Sequence, residues 1–189
     1  MRLNLGCGRQ PMAGWTNVDI VNLPGVDVVA DLDACATVPL PFAADSASEI
    51  VMSHVLEHLD HVLSLMQELW RVAAPAGRLT IQVPHGASDD AFEDPTHKRQ
   101  LFVGSFGYFG QPYYWRADYG YRGDWDVESV TLKLHAADHP DRAFEAVMAK
   151  VNRDRNVVSE MTAVLTAVKP ARQPDRSLQH STLVLFDFG

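Results

Sequence analysis

The chain has 189 residues, 47% hydrophobic and 21% charged, the proportions of an ordinary globular protein long enough to bury a core. Its 16 basic and 24 acidic side chains leave a formal charge of −8, which argues against a general nucleic-acid clamp, because such a surface needs a basic footprint. Cys7 and Cys35 make neither a disulfide framework nor a C-x-x-C knuckle, MRLNLGCG shows no charged leader, and no apolar run approaches the roughly 20 residues of a membrane span. A cytoplasmic protein without a membrane segment is expected.

Taken in chain order, Leu3–Leu5 reads as a short strand halted by Gly6-Cys7-Gly8. NVDI (17–20) is a second strand and VDVVA (26–30) a third, entered through Pro24-Gly25. Ile50–Ser53 is a fourth. Between Asp60 and Ala74, Val62, Leu65, Met66, Leu69 and Val72 recur at helical spacing. Pro75-Ala76-Gly77 ends that helix, and LTIQV (79–83) is a fifth strand. Apolar strands alternating with connections predict a parallel sheet. The link from Gly8 to NVDI is shorter than the dozen or so residues a parallel crossover usually takes, so the first crossover is expected to be pared to a turn.

From Phe92 to Trp125 no period persists, yet most of the chain's aromatic residues are there, interleaved with glycines. Such a segment must cover something. It reads equally as a lid and acceptor pocket or as a cover over one sheet face, with part in a dimer contact. Beyond it, 127–134 alternates like a strand, 141–151 has helical spacing, 161–168 is strand-like, and a polar linker leads to LVLFDF (183–188).

A Gly-x-Gly turn after a first strand lets backbone approach a ligand closely, and in doubly wound sheets such turns lie at the carboxyl edge where ligands bind. Asp19 closes the second strand, where a carboxylate can accept the two hydroxyls of a ribose. Asp31 follows the third, where it can accept from an adenine amino group. With LNLGCG (3–8), GWTNVD (14–19), VVADL (28–32), PLPF (39–42), SHVLEHL (53–59), ELWRVAAPAGRLTIQVPH (68–85) and DPTHKRQLF (94–102), the chain resembles the class I S-adenosylmethionine-dependent methyltransferases, type 11-like group.

The resemblance implies an α/β fold, a Rossmann-like, doubly wound and mostly parallel seven-stranded sheet with an antiparallel C-terminal strand pair. It implies one domain: a cofactor-binding half over 1–85, an aromatic insert over 86–125, and C-terminal strands and helix over 126–189. S-adenosylmethionine is the implied cofactor, held by Asn4, Gly6, Cys7, Gly8, Asp19, Ile20, Asp31, Leu32, Ser53 and His54. Asn4 stands where the family usually carries an acid, and Gln10 where it carries a small residue.

Transfer to a hydroxyl is helped by a general base, and His54, His85 and His97 all fall where the ligand edge should be, with Asp94 placed to orient His97. HVLEH (54–58) also spells the H-x-x-E-H pattern of a group of zinc peptidases. That pattern needs a helix and a third ligand, whereas here it follows a strand. No metal is therefore assigned, and Glu57 and His58 are read as early helix residues. A cluster of His85, Asp94 and His97 could also bind a metal, but a hydrogen-bonded acceptor pocket is favoured because no ligand spacing specific to a metal is present. The expected activity is methyl transfer to an oxygen or nitrogen of a small molecule. The alternatives are a non-catalytic cofactor-binding partner of the same fold and a zinc hydrolase.

Overall fold

The computed structural model describes residues 1–189. The strands are β1 (Arg2–Leu5), β2 (Thr16–Asp19), β3 (Val28–Val29), β4 (Ala47–Ser53), β5 (Ala73–Pro84), β6 (Trp125–Leu134), β7 (Glu160–Ala167) and β8 (Leu183–Phe188). The helices are α1 (Val62–Val72), the single turn α2 (Asp90–Glu93) and α3 (Phe144–Val151). All strands join one sheet in the order β3-β2-β1-β4-β5-β7-β6-β8. The sheet winds outward in both directions from β1, as expected. Pairs within β3-β2-β1-β4-β5 are parallel, and β7 runs antiparallel to both β5 and β6. The sheet has eight strands where seven are expected, the additional one being LVLFDF, which pairs parallel to β6 at the edge. The first crossover is indeed a turn, since β1 and β2 pair directly across residues 6–15.

Alternation along the strands separates two faces. Leu3, Leu5, Ile50, Met52, Leu79, Ile81, Val130, Leu132, Met161 and Leu165 are fully buried. They meet one stripe of α1 (Leu65, Met66, Leu69, Val72) and Val147 of α3 in a single core. Phe106, Phe109, Tyr114, Tyr121 and Trp125 join that core, so the aromatic segment covers this sheet face, while Phe102, Tyr108 and Tyr119 remain exposed. The Trp125 indole N–H donates to the Met66 carbonyl at 3.0 Å, fastening the segment to α1. The opposite face carries Arg2, Glu49, Arg78, Thr80, Gln82, Thr162 and Thr131 in register, half-buried or exposed, because the links 6–15 and 20–27 are turns rather than helices. No helix is long and apolar enough to cross a membrane.

α1 has no side-chain cap of its own. Instead Asp33, in the 3₁₀ turn Leu32–Ala36, accepts from the N–H groups of Asp60 (3.0 Å) and His61 (2.7 Å) just before the helix. That bond fixes where the chain leaves the carboxyl edge of β4, and with it the site.

Candidate cofactor and active site

The carboxyl ends of β1, β4 and β5 open into a cleft of about 470 Å³ lined by Asn4, Gly6, Cys7, Gly8, Ser53 and His54 among others. Its floor is the glycine turn. Gly6 has φ of 64°, and a Cβ there would stand 2.3 Å from Val55 Cγ2, so only glycine fits between the turn and the β4 loop. Gly8 has φ of 50°, and a Cβ there would meet nothing within 4 Å. The backbone therefore borders open space, as a ligand cradle requires. Cys7 is buried, and desolvation followed by the nearby Asp19 charge raises its thiol pKa.

Asn4 explains itself. Its amide donates to the Gln10 carbonyl (3.2 Å) and to Asn17 Oδ1 (2.9 Å), stapling the first crossover to β1 and β2. A carboxylate could make neither bond, since both partners are acceptors. The Asn4 Oδ1 takes no hydrogen bond within the fold and is left for a donor in the cleft.

Asp19 accepts from the Gly8 N–H (2.7 Å, Oδ2) and the Val21 N–H (2.9 Å, Oδ1). A carboxylate has about four lone-pair sites, so two remain for a diol. Beside it Ile20 is 62% exposed, an apolar surface against which a flat base can rest. Asp31 caps the 3₁₀ turn through one oxygen, to the Asp33 N–H at 2.9 Å. The Leu32 side chain turns into the core. The glycine turn and the unpartnered Asn4 oxygen line the cleft and fit the amino-acid end of an adenosyl amino acid, whereas Asp19, Ile20 and Asp31 lie outside its lining, Asp19 being tied to it through the Gly8 N–H.

Among the histidines named from sequence, only His54 lines the cleft. It sits at the end of β4 with φ of 54°, uncommon for a side chain of this size and a sign of local strain at a site. Its Nε2 lies 3.1 Å from Glu160 Oε1 and its Nδ1 3.4 Å from Glu57 Oε1. Glu160 also accepts from Lys133 (2.9 Å) and Gln82 (3.1 Å), and Ser53 donates to Gln82 at 3.1 Å. Burial pushes the Glu160 pKa up, but the bonds from Lys133 and Gln82 and the His54 charge outweigh it, so the net shift is down. Glu160 and Gln82 were missed in the sequence, because they come from strand positions whose alternation marks a sheet face and not a site.

His85 is not brought to the cleft. It is buried, its Nδ1 accepts from the Ala87 N–H at 3.2 Å, its ring meets Phe102 edge-on at 5.4 Å, and burial lowers its pKa. His97 and Asp94 gather elsewhere, beside His58: the two imidazoles meet edge-on at 4.7 Å, and Asp94 Oδ2 stands 3.9 Å from His97 Nε2. HVLEH forms no continuous helix. His54 closes the strand and Leu56–His58 is a separate 3₁₀ turn, so the histidines do not share a helical face as the peptidase pattern needs.

Residues 3–81 match the model of the methyltransferase domain family. No curated protein matches the chain. Among solved structures, the YcgJ protein of Bacillus subtilis aligns with a TM-score of 0.55 at 12% identity over 89% of this chain and 92% of its own. An S-adenosylmethionine-dependent methyltransferase of Archaeoglobus fulgidus aligns at 0.54 and 18% identity, over 87% and 85%. One from Thermotoga maritima, described as a possible histamine N-methyltransferase, aligns at 0.55 and 14% identity, over 88% and 81%. At these identities the likeness is one of fold. The family match over residues 3–81 and the shared fold support a class I S-adenosylmethionine-dependent methyltransferase of the type 11-like group, with S-adenosylmethionine as the implied cofactor.

Proposed function

We propose that the protein transfers a methyl group to an oxygen or nitrogen of a small molecule, with His54 as the proton acceptor when the target is a hydroxyl. The observation that carries this is the position of His54, strained at the end of β4, in the same cleft as the glycine turn and between two carboxylates. S-adenosylmethionine supplies a methyl group on a cationic sulfur when bound. Gly6, Cys7 and Gly8 would border its amino-acid and ribose portions, Asp19 would accept the ribose hydroxyls, and Asp31 with Ile20 would flank the adenine. His54 takes the acceptor's proton on a nitrogen turned off Glu160, and the negative charge of Glu160 nearby favours the imidazolium that results.

The acceptor pocket in this reading is the cavity of about 690 Å³ lined by Asp60, Leu63, Arg99, Phe102, Tyr108 and Phe109 among others. Its size falls in the range of about 300–1,000 Å³ usual for small-molecule sites, and its aromatic lining suits a flat or apolar acceptor. The loop 54–61 runs from the cofactor cleft to this cavity, which supports the assignment. His85, His97 and Asp94 fall outside the cleft and are given no base role here.

A labelled-methyl assay with hydroxyl and amine acceptors tests the proposal. His54→Ala is expected to lower turnover of hydroxyl acceptors about 10²–10⁴-fold, the contribution of a general base, and to weaken calorimetric binding of S-adenosylhomocysteine far less than it lowers turnover. Unchanged turnover would remove His54 from the chemistry. Cofactor binding with no transfer to any acceptor would leave the chain as a binding partner of the same fold.

A further inference from the structure

We infer that Glu57, His58 and His97 form a binding site for a divalent transition-metal ion of the Zn²⁺ and Fe²⁺ class. These three side chains each bring one ligand atom to within 4.8 Å of the others. Glu57 is 2% exposed, and neither of its carboxylate oxygens receives a hydrogen bond. No lysine or arginine pairs with it, and its one ion-pair neighbour is His54, 3.4 Å from Oε1. A buried carboxylate without donors is costly, and a bound cation relieves that cost directly. The His97 side chain is 8% exposed, and its Nδ1 is likewise buried without a partner. Two orphaned groups of complementary ligand chemistry thus meet in one place.

The surroundings fix the histidines as metal ligands need. His58 Nδ1 lies 2.9 Å from the Thr96 hydroxyl, which donates to Asp94 Oδ1 at 2.6 Å. The hydroxyl proton being spent on Asp94, Thr96 accepts from His58 Nδ1–H, which leaves the lone pair on Nε2. Asp94 Oδ2 stands on the Nε2 side of His97, leaving Nδ1 as its free nitrogen. A carboxylate behind a metal-binding imidazole is the usual outer support of such sites, and Asp94 takes that place for His58 through Thr96 while standing 3.9 Å from His97, beyond hydrogen-bond reach. Metal–ligand bonds of about 2.0–2.2 Å place ligand atoms about 3–4 Å apart, so binding draws the three side chains inward by about 1 Å. Two imidazoles and one carboxylate suit Zn²⁺, Fe²⁺, Co²⁺ or Mn²⁺ better than Ca²⁺ or Mg²⁺, which prefer oxygen, and three protein ligands leave positions for water or an acceptor oxygen.

This site is not the H-x-x-E-H arrangement, because His54 is not among its ligands and the third comes from DPTH (94–97). The competing arrangement is a proton held between His97 and Glu57 in place of an ion.

The experiment is uptake of Zn²⁺ and Co²⁺ by the full chain with no cofactor or acceptor present, so its failure leaves methyl transfer untouched. The metal-stripped protein should bind one equivalent, and Co²⁺ should show the intense visible bands of low coordination number. Glu57→Gln and His97→Ala should abolish both, with circular dichroism unchanged. Asp94→Asn, which keeps the ligands and the volume, should weaken uptake about 10-fold or more. No uptake by the wild type, or uptake indifferent to Glu57→Gln and Asp94→Asn, overturns the site.

Discussion

Gly6 carries two demands at once: a left-handed backbone and a contact with Val55 that leaves no room for a Cβ. Gly6→Ala is expected to cost about 2–4 kcal/mol, the sum of a left-handed penalty and overpacking. Urea unfolding measures it, and a loss under 1 kcal/mol would mean that the turn relaxes freely. At this scale the sequence was legible where one residue type answers one backbone constraint, as with the left-handed Gly6 and Gly8. It was not legible at Asn4, where the expected acid is replaced by a residue whose two N–H donors hold the crossover shut.

At the scale of elements, hydrophobic period identified the strands and α1, because each buries one face against a common core. The Glu57–His97 meeting escaped sequence reading for a physical reason. Both residues lie in aperiodic links, separated along the chain by α1 and β5, and bonds such as those from the Lys98 N–H to the Glu57 carbonyl (2.8 Å) and between His58 and Thr96 (2.9 Å) close the gap. The cap of α1 was equally hidden, since Asp33 reaches it from another turn. Asp33→Ala should cost about 1 kcal/mol, the value of a lost helix cap. Burial raises the Asp33 pKa, while the bonds from Asp60 and His61 lower it and prevail. A depressed carboxylate pKa contributes stability above its unfolded value near 4, lost as pH falls through the folded pKa. The gap between wild type and variant should therefore shrink in acid. A gap that stays constant from pH 7 to pH 2 would show that the carboxylate charge plays no part.

Across the whole molecule, helices gather on one face of the sheet and the other is left polar, because the first two crossovers are turns. The C-terminal tail is locked to the aromatic segment by Arg172, whose guanidinium donates to both oxygens of the fully buried Asp124 at 2.8 and 2.9 Å. Asp124 also accepts from the Gln111 and Arg172 N–H groups. Arg172→Met should cost about 3–5 kcal/mol by stranding a buried charge, and a denaturant midpoint equal to the wild type would refute the tie. In the proposed function the glycine turn, Asp19 and the end of β4 converge on one cofactor. Calorimetric titration of S-adenosylhomocysteine into the wild type and Asp19→Ala tests it most directly. One equivalent should bind, about 1–3 kcal/mol more weakly in the variant, as for lost charge-assisted hydrogen bonds. Absence of binding by the wild type, or equal affinity in the variant, would contradict it.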